Sequence, residues 1–117
     1  TYNDWRDPQN DNLWQGVNGT NNPCPSGYRL PTEAEWSAER QSWTSDDASG
    51  AYASSLKLPL GGYRVHSGGM AGVDDRGYYW SSTVDGTDAK LLRFSTSQTF
   101  EESLNRAYGF SVRCIKD

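Results

Sequence analysis

Large apolar residues come in short bursts along this chain, separated by polar, glycine-rich stretches, and the densest burst runs from Gly77 to Thr83, Gly-Tyr-Tyr-Trp-Ser-Ser-Thr. Aromatic side chains fill a pleated surface well and Gly77 interrupts the chain just before them, so the pattern predicts a buried central strand. Leaving the three rings in water would forfeit roughly 1.5–3 kcal/mol each. Their hydroxyls and indole N–H need partners once buried. Beyond this strand, Asp85-Gly86 is a hairpin-turn signal, and Lys90 to Ser95 reads as the return strand. Alternation there sends Lys90, Leu92 and Phe94 to the core and Leu91, Arg93 and Ser95 outward. Thr96 to Asn105 reads as a polar stretch. Gly109 to Ile115 reads as a closing strand with Phe110, Val112 and Cys114 inward.

Upstream, Thr1 to Gly19 reads as turns and irregular chain around Trp5, with Leu13, Trp14 and Val17 as anchors into the core. Tyr28 to Leu30 is a short strand stopped by Pro31. Thr32-Glu33-Ala34-Glu35 has the form of a capping box and opens a helix to about Trp43, with Trp36 and Trp43 two turns apart on the core face. Helical spacing of Ala48, Ala51, Tyr52 and Leu56 marks a short second helix, weakened by Gly50. Tyr63 to His66 alternates as a strand, and Ser67 to Arg76 is a glycine-rich loop bearing Asp74 and Asp75.

The 117 residues fit a single domain, 1–117. Hydrophobic residues make up 34% but aromatics 13%, so the core is built from few, large side chains. A net charge of −4 excludes the basic surface that nucleic acid or an anionic membrane requires. No apolar run approaches the roughly 20 residues of a spanning helix, and the first residues carry no signal-peptide pattern. Cys24 and Cys114 lie too far apart in sequence for a zinc or redox Cys-x-x-Cys pair. A disulfide between them, implying a secreted or surface setting, is the economical reading; two buried thiols are the alternative.

Three kinds of chemistry are open to these residues. His66 is the lone histidine and has no cysteine or Ser–Asp partnership near it in sequence, so no catalytic role is expected. Asp74 and Asp75, with Asp85 and Asp88 beyond the next strand, could supply oxygen ligands to calcium, although the spacing is no EF-hand. Asp85, Leu91, Arg93, Ser95, Ser97, Thr99, Phe100 and Glu102 combine apolar, guanidinium, hydroxyl and acidic groups, a mixture suited to recognising a protein, peptide or glycan. Phe100 is either a contact residue or a plug into the core.

Leu13-Trp14, Cys24-Pro25-x-Gly27-Tyr28-Arg29-Leu30-Pro31-Thr32-x-x-Glu35-Trp36, Leu58-Pro59-Leu60-x-Gly62-Tyr63-Arg64, Tyr79-Trp80-Ser81-Ser82-Thr83 and Gly109-x-Ser111-Val112-Arg113-Cys114 occur in this order. Together these five motifs resemble the Fibrobacter succinogenes major paralogous domain family from about residue 13 to the end. The resemblance implies an α+β domain with a C-type-lectin-like fold, one or two helices and a small twisted antiparallel sheet. It also implies a module of a larger bacterial or phage surface protein, often an adhesin. Some relatives are the variable proteins of diversity-generating retroelements, in which the matches to Trp80, Phe94 and Cys114 are fixed and the changing positions lie on an exposed face. Formylglycine-generating relatives use an active-site cysteine pair, whereas Cys24 and Cys114 match structural positions. The Glu-Pro-Asn and Trp-Asn-Asp elements of calcium-dependent lectins are missing, since Ser81-Ser82 follows Trp80. The resemblance therefore implies an extracellular, non-enzymatic domain that binds a protein or peptide ligand through residues 84–105. A calcium-dependent glycan-binding module and a structural spacer are the alternatives.

Overall fold

The computed structural model describes Arg6 and residues 8–117; the irregular chain expected around Trp5 lies outside the described residues. Its elements are β1 (Tyr28–Arg29), α1 (Glu33–Gln41), α2 (Ala48–Ala53), β2 (Tyr63–Arg64), β3 (Met70–Ala71), β4 (Arg76–Asp85), β5 (Asp88–Ser95), β6 (Thr99–Asn105) and β7 (Ile115–Lys116). Two helices with small antiparallel sheets make the molecule mixed α and β, compatible with the α+β class. The main sheet has the order β4-β5-β6, and β1 pairs with β7 and β2 with β3. The aromatic strand β4 is flanked on both sides as expected: β5 holds one edge, and single parallel bridges from Gly62 to Gly77 and from Ser111 to Tyr79 hold the other. At its far end Asp85 pairs with Asp88, and Gly86 supplies the left-handed backbone (φ 61°) that the tight turn requires.

Side chains from both faces of the sheet are buried. One face packs Tyr79, Leu92 and Phe94 against Trp36, Ala48, Ala51 and Leu58 from the helical side. Phe94 comes so close to β4 that a Cβ on Gly77 would lie 2.5 Å from its ring; only glycine fits there. Tyr79 donates its hydroxyl to the Pro59 carbonyl at 2.9 Å, and burial pushes its phenol up to about 12, so it stays a donor. The other face buries Leu30, Tyr78, Trp80 and Leu91 beneath Trp14, Tyr63 and Phe110. Leu91, expected to face outward, is thus 1% exposed. The alternation was right about direction, but this second face is covered by the N-terminal chain and the segment around Phe110 instead of water.

Two further expectations are corrected. The polar stretch from Thr96 to Asn105 forms the strand β6 from Thr99 onward, in register with β5 from Phe94↔Thr99 to Asp88↔Asn105. The closing segment from Gly109 makes only single bridges at Gly109 and Ser111 before β7. Its alternation fails at Val112, which is 37% exposed, because an isolated bridge imposes no pleat on its neighbours.

The ends of the chain are tied together at one place. Cys24 and Cys114 form a disulfide, which fits a non-reducing compartment. Beside it, Arg29 of β1 donates to both oxygens of Glu35, at 2.7 and 2.8 Å, and to Asp117 at 2.9 Å. Glu35 also closes the capping box: it accepts from the Thr32 backbone N–H at 2.8 Å, while the Thr32 hydroxyl accepts from the Glu35 N–H at 3.3 Å. The Arg29 hydrogen bonds hold the Glu35 carboxyl at about 2, below its ordinary 4.5. A carboxylate depressed in the folded state stabilises it above the ordinary value, and that contribution is lost as pH falls from 4.5 towards 2. Urea midpoints across this window are expected to fall less steeply in Glu35→Gln than in the unsubstituted protein; parallel profiles would contradict this role. Among the described residues no helix is long and apolar enough to cross a membrane.

Candidate functional site

The register of the β4-β5-β6 sheet places Arg93 between Tyr78 on one side and Phe100 on the other. Side chains directly opposite in an antiparallel pair lie close enough to interact. The Arg93 guanidinium accordingly lies over both rings, 5.6 Å from the Tyr78 centroid and 4.9 Å from that of Phe100. Its Nη1 donates to the two oxygens of Glu102 at 3.2 and 3.3 Å. A planar cation held by two ring faces and a carboxylate has few rotamers left to lose on binding. Burial raises the Tyr78 phenol, with the Arg93 charge pulling the other way, so the ring beneath the cation remains neutral.

Phe100 is 37% exposed, a surface ring and not a plug into the core. At the adjoining turn the Ser95 N–H donates to the Gln98 carbonyl at 2.8 Å, and the Ser95 and Ser97 hydroxyls lie 3.3 Å apart. The structure thus gathers Arg93, Phe100, Glu102, Ser95 and Ser97 at one end of the sheet. Three residues expected with them are elsewhere. Leu91 is buried, Thr99 is 3% exposed because its side chain points to the helical face, and Asp85 pairs with Asp88 at the other end of β5, about 17 Å from Arg93 at strand rise. There Asp85 accepts from the Ser103 hydroxyl at 2.6 Å and lies 3.7 Å from the Lys90 ammonium, and these two lower its pKa. Tyr78 is the member that sequence reasoning missed. Counting back from the Asp85↔Asp88 pair would set Tyr78 opposite Ser95; the register shift between Trp80 and Val84, which nothing in the sequence announces, brings it opposite Arg93 instead.

The expected calcium ligands do not converge. Asp74 and Asp75 sit before β4, with Asp75 3.6 Å from the Arg76 guanidinium, and Asp85 and Asp88 sit at the hairpin beyond it. The ten residues of β4 separate the two pairs by roughly 30 Å. Among the described residues no group of three or more His, Cys, Asp or Glu side chains is placed to hold a metal ion. His66 lies edge-on to Tyr108, with ring centroids 5.4 Å apart.

On the same sheet face, at the Asp85 end, a cavity of about 210 Å³ opens between Trp14, Trp80, Val84, Ala89 and Phe110. No local pattern announced it, since its walls come from the two ends of the chain and from the β4–β5 hairpin. Compared with known protein families, curated proteins and solved structures, the chain matches none.

Proposed function

We propose that this chain is an extracellular, non-enzymatic recognition domain of a bacterial or phage surface protein, of the C-type-lectin-like kind its five motifs resemble, and that it binds a protein or peptide ligand through Arg93, Phe100, Glu102, Ser95 and Ser97. The observation that carries this reading is the exposed Phe100 ring stacked under an Arg93 guanidinium that Tyr78 and Glu102 already hold in place. Aromatic and arginine side chains dominate binding energy where they are preorganised on a rigid element, and here both stand on paired strands. The flanking serines and Glu102 supply the polar rim that such interfaces carry. The disulfide supports the extracellular setting. A calcium-assisted glycan site has no supporting observation, given where the four aspartates lie.

The test is to select peptide binders to the oxidised domain from a displayed library and measure their affinity for variants. Arg93→Ala and Phe100→Ala are each expected to weaken binding by about tenfold or more, a loss of at least ~1.4 kcal/mol. Tyr52→Ser, on the exposed side of α2, is expected to change nothing. Binders that tolerate both site substitutions would overturn the assignment of this surface.

A further inference from the structure

Past the point in β4 where its pairing with β5 shifts register, between Trp80 and Val84, three local devices converge on the 210 Å³ cavity. The first is Trp14, whose φ of 63° is a left-handed conformation that bulky side chains rarely adopt and that concentrates at ligand clamps. A second is the strut that holds this turn: the Trp14 N–H donates to the Thr20 carbonyl at 2.9 Å, and the Gln15 amide donates to the Ser82 carbonyl at 2.6 Å and the Leu13 carbonyl at 3.2 Å. The third is the register shift itself, a device that re-aims side chains beside binding sites. Trp80 and Phe110, ring centroids 4.4 Å apart, form one wall and Trp14 another.

Charge at the rim is already engaged. Arg106 pairs with Asp11 at 2.8 Å and donates to the Gly86 and Asp88 carbonyls. Asp11 also accepts from Gln9 at 2.7 Å, the Ser81 hydroxyl donates to the Lys90 carbonyl at 2.8 Å, and Arg6 is engaged as well. An anionic ligand would need a cation to spare, which these side chains do not offer; Asn10, Ser82 and Tyr108 also line the cavity and can bond a polar edge of a ligand, but Trp14, Trp80, Val84, Ala89 and Phe110 give it mainly apolar walls. An apolar cavity of about 150 Å³ accepts benzene, so this one has room for a single or fused ring, and its flat walls suit offset or edge-on ring contacts.

We propose that this cavity binds one uncharged aromatic ring system of one or two fused rings. The same chemistry can arrive as a free compound or as a tryptophan side chain on a larger ligand. The proposal does not rest on the role of Arg93 and Phe100, and its test leaves those residues untouched.

The experiment titrates the oxidised domain with indole and with N-acetyltryptophanamide, following the indole N–H resonances of Trp14 and Trp80, with benzoate and methyl glucoside as comparators. Indole is expected to produce saturable shifts in the millimolar range, with intermolecular NOEs to Trp14 and Phe110. Ala89→Phe, which puts a ring into the cavity, is expected to weaken binding by about tenfold or more, and Tyr52→Ser to leave it unchanged. Saturable binding of N-acetyltryptophanamide as well assigns the site to a chain-borne ring, and binding of indole alone assigns it to a free compound; both support the proposal. No saturable shift up to about 10 mM, beyond the range of such a fragment, would overturn it. So would equal responses to benzoate or methyl glucoside, or NOEs to other residues, a readout that needs no variant to fold.

Discussion

Replacing Cys24 and Cys114 together with serine is expected to lower the thermal midpoint of the oxidised domain by roughly 15–20 °C. The bridge closes a loop of 90 residues, and the loop-closure entropy it removes from the unfolded chain corresponds to about 4–5 kcal/mol. A few degrees per kcal/mol for a domain of this length converts that into the expected fall. Close to the bridge the other links between the two ends are short. The β1–β7 ladder is two residue pairs long, Tyr28↔Lys116 and Arg29↔Ile115, and the Arg29–Asp117 ion pair is partly solvated and worth little alone. Melts of the oxidised protein and of Cys24→Ser/Cys114→Ser decide the matter. A fall of less than about 5 °C would mean that the second core, in which Leu30, Trp80 and Phe110 meet, holds the ends without the bridge.

Trp36→Ala is expected to be the most damaging single side-chain truncation, at about 4–6 kcal/mol. Trp36 is buried to 1% exposure and fills the space between α1 and the sheet, its ring 5.9 Å from that of Tyr79. Emptying such a site costs about 3–5 kcal/mol. The indole Nε1 also donates to the Trp80 carbonyl at 3.2 Å, where β4 shifts register against β5, and leaving that carbonyl unpaired adds about 1 kcal/mol or more. Trp36→Phe separates the two effects, because it keeps most of the volume and loses the hydrogen bond; about 1–3 kcal/mol is expected of it. Urea denaturation of the three proteins tests this. Equal losses for the Ala and Phe variants would assign the role of Trp36 to its hydrogen bond alone.

Local signals in the sequence carried through to the structure and non-local ones did not. Thr32 and Glu35 cap α1 by reciprocal bonds between residues three apart. Asp85-Gly86 turns the chain with a left-handed glycine, and the Tyr-Tyr-Trp run is buried where its apolar content required. By contrast, β6 has only Phe100 and Leu104 as large apolar residues, and its remaining positions are held by partners on other elements, Glu101 by Arg40 and Glu102 by Arg93. The turn before it, Thr96-Ser97, carries no glycine. Leu91-Leu92 did carry a signal: two adjacent leucines in a strand mark burial on both faces. The cavity could not be read in advance, since the wall made by Trp14 depends on a left-handed backbone that tryptophan rarely adopts.

The recognition role of the β5–β6 end is tested most directly by mapping amide hydrogen exchange of the domain with and without a selected ligand. Protection is expected to concentrate on residues 95–102, around Phe100, with none added at α2 or at the loop carrying Asp74 and Asp75. Protection that spares 95–102 and gathers elsewhere would contradict the proposal that Arg93 and Phe100 form the binding surface.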